Sequence, residues 1–546
     1  MRESAVSALG SPADLLAHFS SLRGLSNNQD FRSSADLYPE APRAAERLHE
    51  AIQNKETIGI FGDYDCDGIT STTLLVRALR RHGAEPVVRL PHRVRDGYGF
   101  KPGIADEFAQ AGVTLLITVD TGITANEAVA RAKEHGIDVL ILDHHQPRGE
   151  RPEAFAILHP MLSPNYPAPY PAAAGITFDF LHAFEGPDWQ GRDEDLAIAT
   201  VGTVADLVPL LGHNRALVRA GLKAFSRLGP CPIKELATHT CADRAITSGD
   251  IAFRLAPRIN AAGRMDDPTL ALKALLEGGV ALHALEELNT DRQSSTTVCL
   301  RQVLASIEEG KDLPAFLCMA SPDYPPGVVG LLAGKLTETF GRPSLVAHVQ
   351  GDTCTASLRS IHGYSVADAL ERHAGLLHTF GGHAQAGGCT FAMAQFDLLS
   401  ESLRADCAER MPDAALVPSI LIDAEIDQHL VSLPLVQALA RLEPFGQGNP
   451  EPTFLLRNIL VSSPRGVGGE GQHLRASVGQ IAAIGFGLAH VLPRVQGAVD
   501  AVCRLSLNVW NGRVSPQLVI QDIRSAAATK DVTEKIANGD LRVANG

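Results

Sequence analysis

Gly59-Ile-Phe-Gly-Asp-Tyr-Asp-Cys-Asp-Gly-Ile-Thr70 takes the chain from a short apolar run into three aspartates at alternate positions, Asp63, Asp65 and Asp67, before a helical pattern opens at Ile69. An apolar run of strand length followed by Gly and a helix reads as a buried parallel strand that delivers carboxylates at its C-terminal end. Clustered carboxylates repel one another unless a cation neutralises them, so the stretch predicts one or more hard divalent metals. A solvated Asp-rich turn hinged at Gly68 would account for the same letters, and the rest of the chain decides between the two.

Upstream, Ala41–Asn54 has a helical apolar pattern (Ala45, Leu48, Ile52) that leads into the strand, and downstream Thr70–Arg81 is amphipathic through Leu74, Leu75, Ala78 and Leu79. The unit then repeats. Leu115–Val119 is an apolar run closed by Asp120-Thr121-Gly122, with a helix from about Ala125 to His135; Val139–Leu142 is another, closed by Asp143-His144-His145. Strands alternating with helices predict a parallel sheet with right-handed crossovers, and such sheets bind ligands at their strand C-termini. The acids and histidines should therefore meet in one crevice. Asp, Asp, Asp and His suit Mn²⁺ or Mg²⁺, with imidazole favouring Mn²⁺. Asp206, alone in Val204-Ala-Asp-Leu-Val-Pro209, reads either as a further ligand or as a helix cap.

At 546 residues the chain predicts three or four domains. Its net charge of −14 excludes a global electrostatic footprint for nucleic acid, so any such binding must use local basic patches. Nine scattered cysteines with no C-x-x-C pair indicate neither a disulfide framework nor a thiolate zinc site. No apolar leader or membrane-length segment is present in the sequence, which predicts a soluble, cytoplasmic protein.

Thr269–Ile307 reads as a long helical connector, and a second alternating lobe follows, with strands such as Ala315–Ala320 and Ser344–His348. Within it, Ala356-Ser-Leu-Arg-Ser360 ends a strand with a hydroxyl and a guanidinium, and Phe380-Gly-Gly-His-Ala-Gln-Ala-Gly-Gly388 is a glycine-rich loop around a histidine. Either could approach a phosphate, though tight turns between strands would also explain the glycines. The last lobe offers candidate strands Ser419–Ile426, Phe454–Ser462, Leu474–Val478, Ala498–Val509 and Pro516–Ile523, with a hairpin signal at Asn511-Gly512. Short strands in this number suit a small barrel of the OB-fold type.

Asp63-Tyr-Asp-Cys-Asp-Gly68, Val119-Asp-Thr-Gly122, Asp143-His-His145 and Val204-Ala-Asp-Leu-Val-Pro209, in this order and spacing, resemble the motifs of the DHH phosphoesterases. Arg93–Gly99, Arg258–Asp266 and Glu443–Pro452 are similar to segments of the RecJ branch of that superfamily, and the resemblance covers roughly residues 40 to 525. It implies an α/β architecture: a parallel-sheet DHH domain and a smaller α/β DHH-associated domain joined by a long helix, then a C-terminal β-barrel (OB-fold). The expected boundaries are an N-terminal lead-in over 1–40, the DHH domain over 41–268, the connector over 269–312, the DHH-associated phosphate-binding domain over 313–416, the barrel over 417–525 and a flexible tail over 526–546.

The implied activity is 5′-to-3′ degradation of single-stranded DNA to 5′-mononucleotides by two-metal hydrolysis, in recombination and repair. Single-stranded-DNA-binding protein and a RecQ-type helicase are the implied protein partners. The resemblance assigns Asp65, Asp67, Asp120, His144 and Asp206 to two divalent cations, Mn²⁺ preferred and Mg²⁺ possible, with Asp120 as the bridge. Asp63, Asp143 and His145 would orient ligands or touch the phosphate. Arg264, Ser357, Arg359 and His383, with Asn260 and Gly382, would hold substrate. Apart from the resemblance, Tyr98 or Tyr64 is available to stack a base, and ordinary core or rim packing accounts for both tyrosines equally well. Ala356-Ser-Leu-Arg-Ser360 stands where the family pattern has Gly-Ser-Gly-Arg-Ser, which bears on backbone approach at that point. A DHH phosphoesterase acting on short oligonucleotides, cyclic dinucleotides or pyrophosphate is the alternative enzyme, and a catalytically dead scaffold the non-enzymatic one.

Overall fold

Thr57–Gly62 forms a strand because its alternating β-branched, aromatic and glycine residues fit between two neighbours. Every residue after Thr57 is buried, and a Cβ on Gly59 would stand 2.9 Å from the Phe108 ring. The computed structural model describes residues 11–25, 37–93, 95–97, 99–164, 166–241, 244–307, 313–412, 416, 420–495, 497–510 and 513–526. They fall into two units, one of residues 31–208 and 216–419, the other of 1–30, 209–215 and 420–546. Among the described residues no helix is long and apolar enough to cross a membrane.

The chain opens with α1 (Pro12–Leu22), which belongs to the second unit. In the first unit α2 (Ala41–Gln53) precedes β1 (Thr57–Gly62), α3 (Cys66–Arg81), β2 (Val87–Arg89), α4 (Pro102–Gln110), β3 (Val113–Val119), α5 (Asn126–Glu134), β4 (Asp138–Leu142) and β5 (Ala156–Leu158). The strands pair in the order β2-β1-β3-β4-β5, all parallel. The order reverses between β1 and β3, the point where an open parallel sheet leaves a crevice at its carboxyl edge. Phe61, Phe108, Leu116 and Ile141 are among the core residues beneath it.

Helices α6 (Ala173–Glu185), α7 (Arg192–Ala205), α8 (Gly212–Arg227) and α9 (Pro232–Cys241) follow, then the single turn α10 (Ser248–Asp250) and a π-turn, Ile251–Leu255, that runs into α11 (Ala256–Met265). The expected single connector is two helices, α12 (Thr269–Glu277) and α13 (Val280–Ser306). Gly278 and Gly279 break it with positive φ of 69° and 57°. Next come β6 (Leu317–Ser321), α14 (Val329–Phe340), β7 (Ser344–Gln350), β8 (Thr353–Arg359), α15 (Val366–Arg372), β9 (Thr379–His383), β10 (Ala386–Ala392) and α16 (Phe396–Arg410). Their sheet runs β6-β7-β8-β10-β9, parallel only between β6 and β7. The glycine-rich segment expected as a loop is the β9–β10 hairpin, with His383 opposite Ala386.

In the second unit β11 (Ala424–Glu425) and α17 (Leu433–Ala440) precede β12 (Phe454–Val467), β13 (His473–Val478), β14 (Ile481–Gly485), β15 (Ala498–Trp510) and β16 (Arg513–Ser525). β12-β13-β14-β16-β15 closes on itself through β12–β15, so five strands make a barrel. The expected strand Ser419–Ile426 shrinks to two residues, because Ile420, Leu421 and Ile422 face solvent and only Ala424 and Ile426 are buried. β14 went unpredicted because Ile-Ala-Ala-Ile-Gly carries little apolar bulk. Asn511-Gly512 lies outside the described residues. The polar N-terminal stretch conceals α1, whose Leu15, Leu16 and Phe19 join the barrel core and whose Phe19 meets Phe454 edge to face at 6.0 Å.

Candidate metal centre and phosphate pocket

Three strand ends build the crevice. After β1, Asp65 caps α3, its Oδ1 accepting the Asp67 and Gly68 amides at 3.0 and 3.1 Å. Gly68 is required by contact: a Cβ there would come within 2.6 Å of the Asp63 backbone. It is therefore not a hinge but the residue over which the acid turn folds. Asp67, in the first turn of α3, accepts the amides of Ala173 and Ala174 at the start of α6 (2.7 and 2.9 Å). After β3, Asp120 holds a left-handed backbone, φ 61°, fixed by its own amide on the Leu142 carbonyl at 3.0 Å. After β4, Asp143 accepts from Ile123 N (2.9 Å), His144 N (2.7 Å), His145 N (3.1 Å) and His145 Nδ1 (2.8 Å). Asp143 thus has both carboxylate oxygens occupied as acceptors, and it orients the two histidines.

His144 stands between acids from different elements: its Nε2 is 3.1 Å from Asp120 and 3.9 Å from Asp67, and its Nδ1 is 3.7 Å from Asp206, the C-cap of α7. The ring-nitrogen and carboxylate atoms of three groups lie within 4.8 Å of one another: Asp120–His144–His145, Asp67–His144–Asp206 and Asp63–Asp65–Asp120. Asp120 belongs to two of these groups and His144 to two.

Electrostatics test whether a cation fits. Burial, then repulsion from Asp65, pushes Asp63 up to about 8 and Asp67 up to about 7; burial and neighbouring acids also hold Asp120 and Asp206 well above the carboxylate range. Burial and then His145 push His144 down to about 4, which keeps its imidazole neutral and able to ligate. The buried Asp63 Oδ1 has no hydrogen-bond partner. An orphaned carboxylate oxygen inside a carboxylate cluster is what a divalent cation satisfies, so these residues fit divalent cations. Sequence reasoning set Asp63 behind the other two acids, whereas the structure groups it with Asp65 and Asp120. Burial disfavours charge on His145, but the Asp143 hydrogen bond and charge outweigh it and raise the ring to about 9; the same contact overcomes burial at Asp143 and holds that carboxyl well below its usual range.

α11 lies against the acid turn. Asn260 Oδ1 accepts the Cys66 amide at 2.9 Å, which ties this expected substrate contact to the ligand loop. A Cβ on Gly263 would meet the Tyr64 carbonyl at 2.5 Å. Arg93 sits 4.1 Å over the Tyr64 ring and donates to the Gly263 carbonyl at 3.3 Å, so Tyr64 is a packed wall rather than a free stacking platform. Tyr98 lies outside the described residues.

Arg264 donates to the Gly327 carbonyl at 3.4 Å, and burial followed by repulsion from Arg93, Arg292 and Arg359 lowers it to about 9. Arg359 and Ser357 end β8 beside the first turn of α14: a Cβ on Gly330 would stand 3.3 Å from Ser357 Oγ and 3.5 Å from Arg359 Nη2. The glycine at this contact is on the facing helix, while β8 itself carries Ala356 and Leu358. Gly382 is held at φ 143° with no room for a Cβ, 2.4 Å from the Ala386 carbonyl. The His383 side chain is exposed at the hairpin end and, among the described residues, makes no hydrogen bond or ion pair. Sequence reasoning gave no role to Arg93 or Arg292; Arg93 lay inside a quoted motif, while Arg292 had no signal to separate it from the other charges of α13.

Residues 57–207 match the DHH family N-terminal domain, 313–409 the DHHA1 domain and 422–522 the RecJ OB domain. The single-stranded-DNA-specific exonuclease RecJ of Dickeya dadantii is 34% identical, with 92% of each chain covered. That of Escherichia coli is 32% identical over 93% of this chain and 95% of its own. The Bacillus subtilis protein of that name is 32% identical over 88% of this chain, which spans 62% of its length. The crystal structure of RecJ in complex with Mn²⁺ from Thermus thermophilus superimposes with a TM-score of 0.82 at 30% identity, over 94% of this chain and 76% of that one. A second structure of the same protein carries Mg²⁺ (TM-score 0.75, 28% identity, 93% and 74%). With its three domain signatures in sequence, the chain belongs to the RecJ family of single-stranded-DNA-specific exonucleases.

Proposed function

We propose that the chain is a divalent-cation-dependent exonuclease that degrades single-stranded DNA from its 5′ end and releases 5′-mononucleotides. The observation that carries this reading is the juxtaposition at the β1–β3 switch point: grouped buried carboxylates, among them Asp63 with an oxygen that has no hydrogen-bond partner, and Arg93 packed on Tyr64 of the same acid turn and on Gly263 beside Arg264. Asp63, Asp65, Asp67, Asp120, His144 and Asp206 would hold two cations, Mn²⁺ in preference to Mg²⁺, with Asp120 shared between the groups. Bound there, the cations would supply a water of lowered pKa and neutralise charge at the scissile phosphate.

The chain's own residues do the rest. Asp143 fixes the His144 and His145 backbones and holds the His145 ring through Nδ1 at 2.8 Å, 3.8 Å from Asp120, so that His145 is aimed at a phosphate in the crevice. Arg264, Arg359 and Ser357, backed by the first-turn amides of α14, hold the substrate phosphate and balance its charge. Arg93, clamped between the Tyr64 ring and Gly263, closes the pocket wall. His383 and Gly382 contact substrate from the β9–β10 hairpin, and the barrel binds single-stranded DNA.

The reading rests on family membership together with this geometry. The same membership supports a cytoplasmic enzyme of recombination and repair that works beside single-stranded-DNA-binding protein and a RecQ-type helicase. Co-sedimentation with each purified partner tests that association.

The decisive experiment is Mn²⁺-dependent digestion of single strands labelled at either end, run beside duplex DNA and pyrophosphate. Mononucleotides should appear first from the 5′ label. Release from the 3′ end alone, or hydrolysis of pyrophosphate alone, would overturn the proposal.

A further inference from the structure

Helix α13 carries mixed charge, and most of it is solvated or paired. Arg292 is the exception. Its Nη2 donates to Asn289 Oδ1 at 2.8 Å, Asn289 itself being 1% exposed, and its buried Nε has no acceptor. Among the described residues it has no carboxylate partner, whereas its basic neighbour Arg258 is held by Glu286 through Nη2 at 2.9 Å. Burial and then Arg258 disfavour its charge, and it in turn repels Arg264.

Arg264 lies on Gly327 and Arg359 beside Gly330 at the start of α14, Arg93 lies on Gly263, and Arg292 stands near enough to repel Arg264; among the described residues no carboxylate is hydrogen-bonded to Arg264, Arg292 or Arg359. Guanidiniums at this degree of enclosure repel one another unless an anion enters. A phosphodiester carries a single negative charge, so a quartet of this size matches successive phosphates of a strand rather than one isolated phosphate.

We propose that Arg292 is a phosphate contact for the single strand: a fourth guanidinium of the pocket, reaching the backbone from the helix that links the two lobes. Asn289 holds the fork by one nitrogen and leaves the remaining donors for the ligand. The inference rests on the reading of Arg264 and Arg359 as phosphate binders.

Its test is KM for a 5′-phosphorylated oligothymidylate, measured with Mn²⁺ across a series of KCl concentrations for the parent, Arg292→Gln and Arg292→Lys. Each neutralised phosphate of a single strand contributes about 0.7 to the slope of log affinity against log salt. Arg292→Gln should raise KM about tenfold and flatten the slope by about 0.7, while Arg292→Lys keeps the parent's slope because it keeps the charge. Melting temperatures of all three separate binding from folding. An Arg292→Gln slope equal to the parent's overturns the inference, whether or not KM and melting temperature move, because a purely structural arginine would alter those and leave the slope alone. If the parent itself leaves the oligonucleotide intact, the underlying reading fails as well, an outcome distinct from a parent that cleaves and a variant with an unchanged slope.

Discussion

Asp120 and Asp406 are both buried carboxylates, and the molecule holds them in opposite ways. Asp406, on α16 under the second sheet, accepts from Arg372 Nε and Nη2 (2.8 and 2.7 Å), the Tyr364 hydroxyl (2.6 Å) and Arg410 Nε (2.9 Å). Burial would raise that carboxyl, but these donors outweigh it and hold it well below its usual range. Asp120 faces Asp67, Asp65, Asp63 and Asp206, with His144 at 3.1 Å, and is driven well above the usual range by burial and by those acids. One acid is satisfied by the chain. The other is left short of donors, in a position fixed by strained backbone, and such a deficit is stable only if the missing positive charge comes from outside the polypeptide.

The largest expected effect breaks the comparison at its centre. Asp120→Asn keeps a residue type that tolerates a left-handed backbone while it removes one negative charge. Activity on single strands should fall about a thousandfold, and the melting temperature in chelator should hold or rise, because a repulsive charge has gone. Retained activity, or a sharp loss of stability without metal, would show that Asp120 belongs with Asp406 as a structural acid.

The next effect separates the three acids of the opening turn. Ligand binding stabilises the folded state by about 2.7 kcal/mol at one hundred times Kd, so Mn²⁺ should raise the parent's melting temperature by several degrees. Asp63→Asn should diminish that rise, since the Asp63 Oδ1 without a partner is the atom the cation satisfies. A full Mn²⁺ shift in this variant would return Asp63 to a purely orienting position.

Asp406→Ala is the converse case. It should lose about 2 kcal/mol of stability, less than a fully buried pair because Arg410 is half in solvent, while metal-induced stabilisation is unchanged. The sign with pH follows from the depressed carboxyl. Its contribution is complete above the unfolded value of about 3.9 and is lost as pH falls through the lower folded value. Chemical denaturation should therefore show the parent and Asp406→Ala differing at pH 7 and converging only in strong acid. A constant difference down to pH 2 would mean that the charge of Asp406 is not what stabilises α16.

Much of the crevice was legible in the chain because its information is local. Three apolar runs each ending in an acid give strands, sheet edge and convergence, and the order of β1, β2 and β3 then supplies the switch point. What was not legible depends on partners distant in sequence. The bond from Cys66 N to Asn260 appears only when α11 is placed, and the orphaned oxygen of Asp63 only when the acid turn is packed. Arg292 looks like any charge on a long helix until its neighbours are known. Likewise α1 has too little apolar pattern to announce a core, yet Leu15, Leu16 and Phe19 are buried once the barrel stands beside them.

The smallest effect extends the comparison to the solvent. In the barrel Arg465 on β12 and Arg475 on β13 are directly opposite, both exposed, and among the described residues neither has an ion-pair partner. Like charges across a ladder disfavour pairing by a few tenths of a kcal/mol to about 1 kcal/mol, and water screens the rest. Burial makes the same uncompensated charge expensive around Arg264; exposure makes it nearly free here, so the pair can be kept for an electrostatic task. Arg475→Glu should stabilise the barrel by up to about 0.5 kcal/mol through a cross-strand ion pair, yet raise KM for single strands several-fold at low salt, an effect that fades as salt increases. Calorimetry and KM titrations on the same preparation read both at once. If stability rises and KM does not, the exposed arginines are ordinary surface charge, and the contrast that organises the buried site does not extend to the barrel.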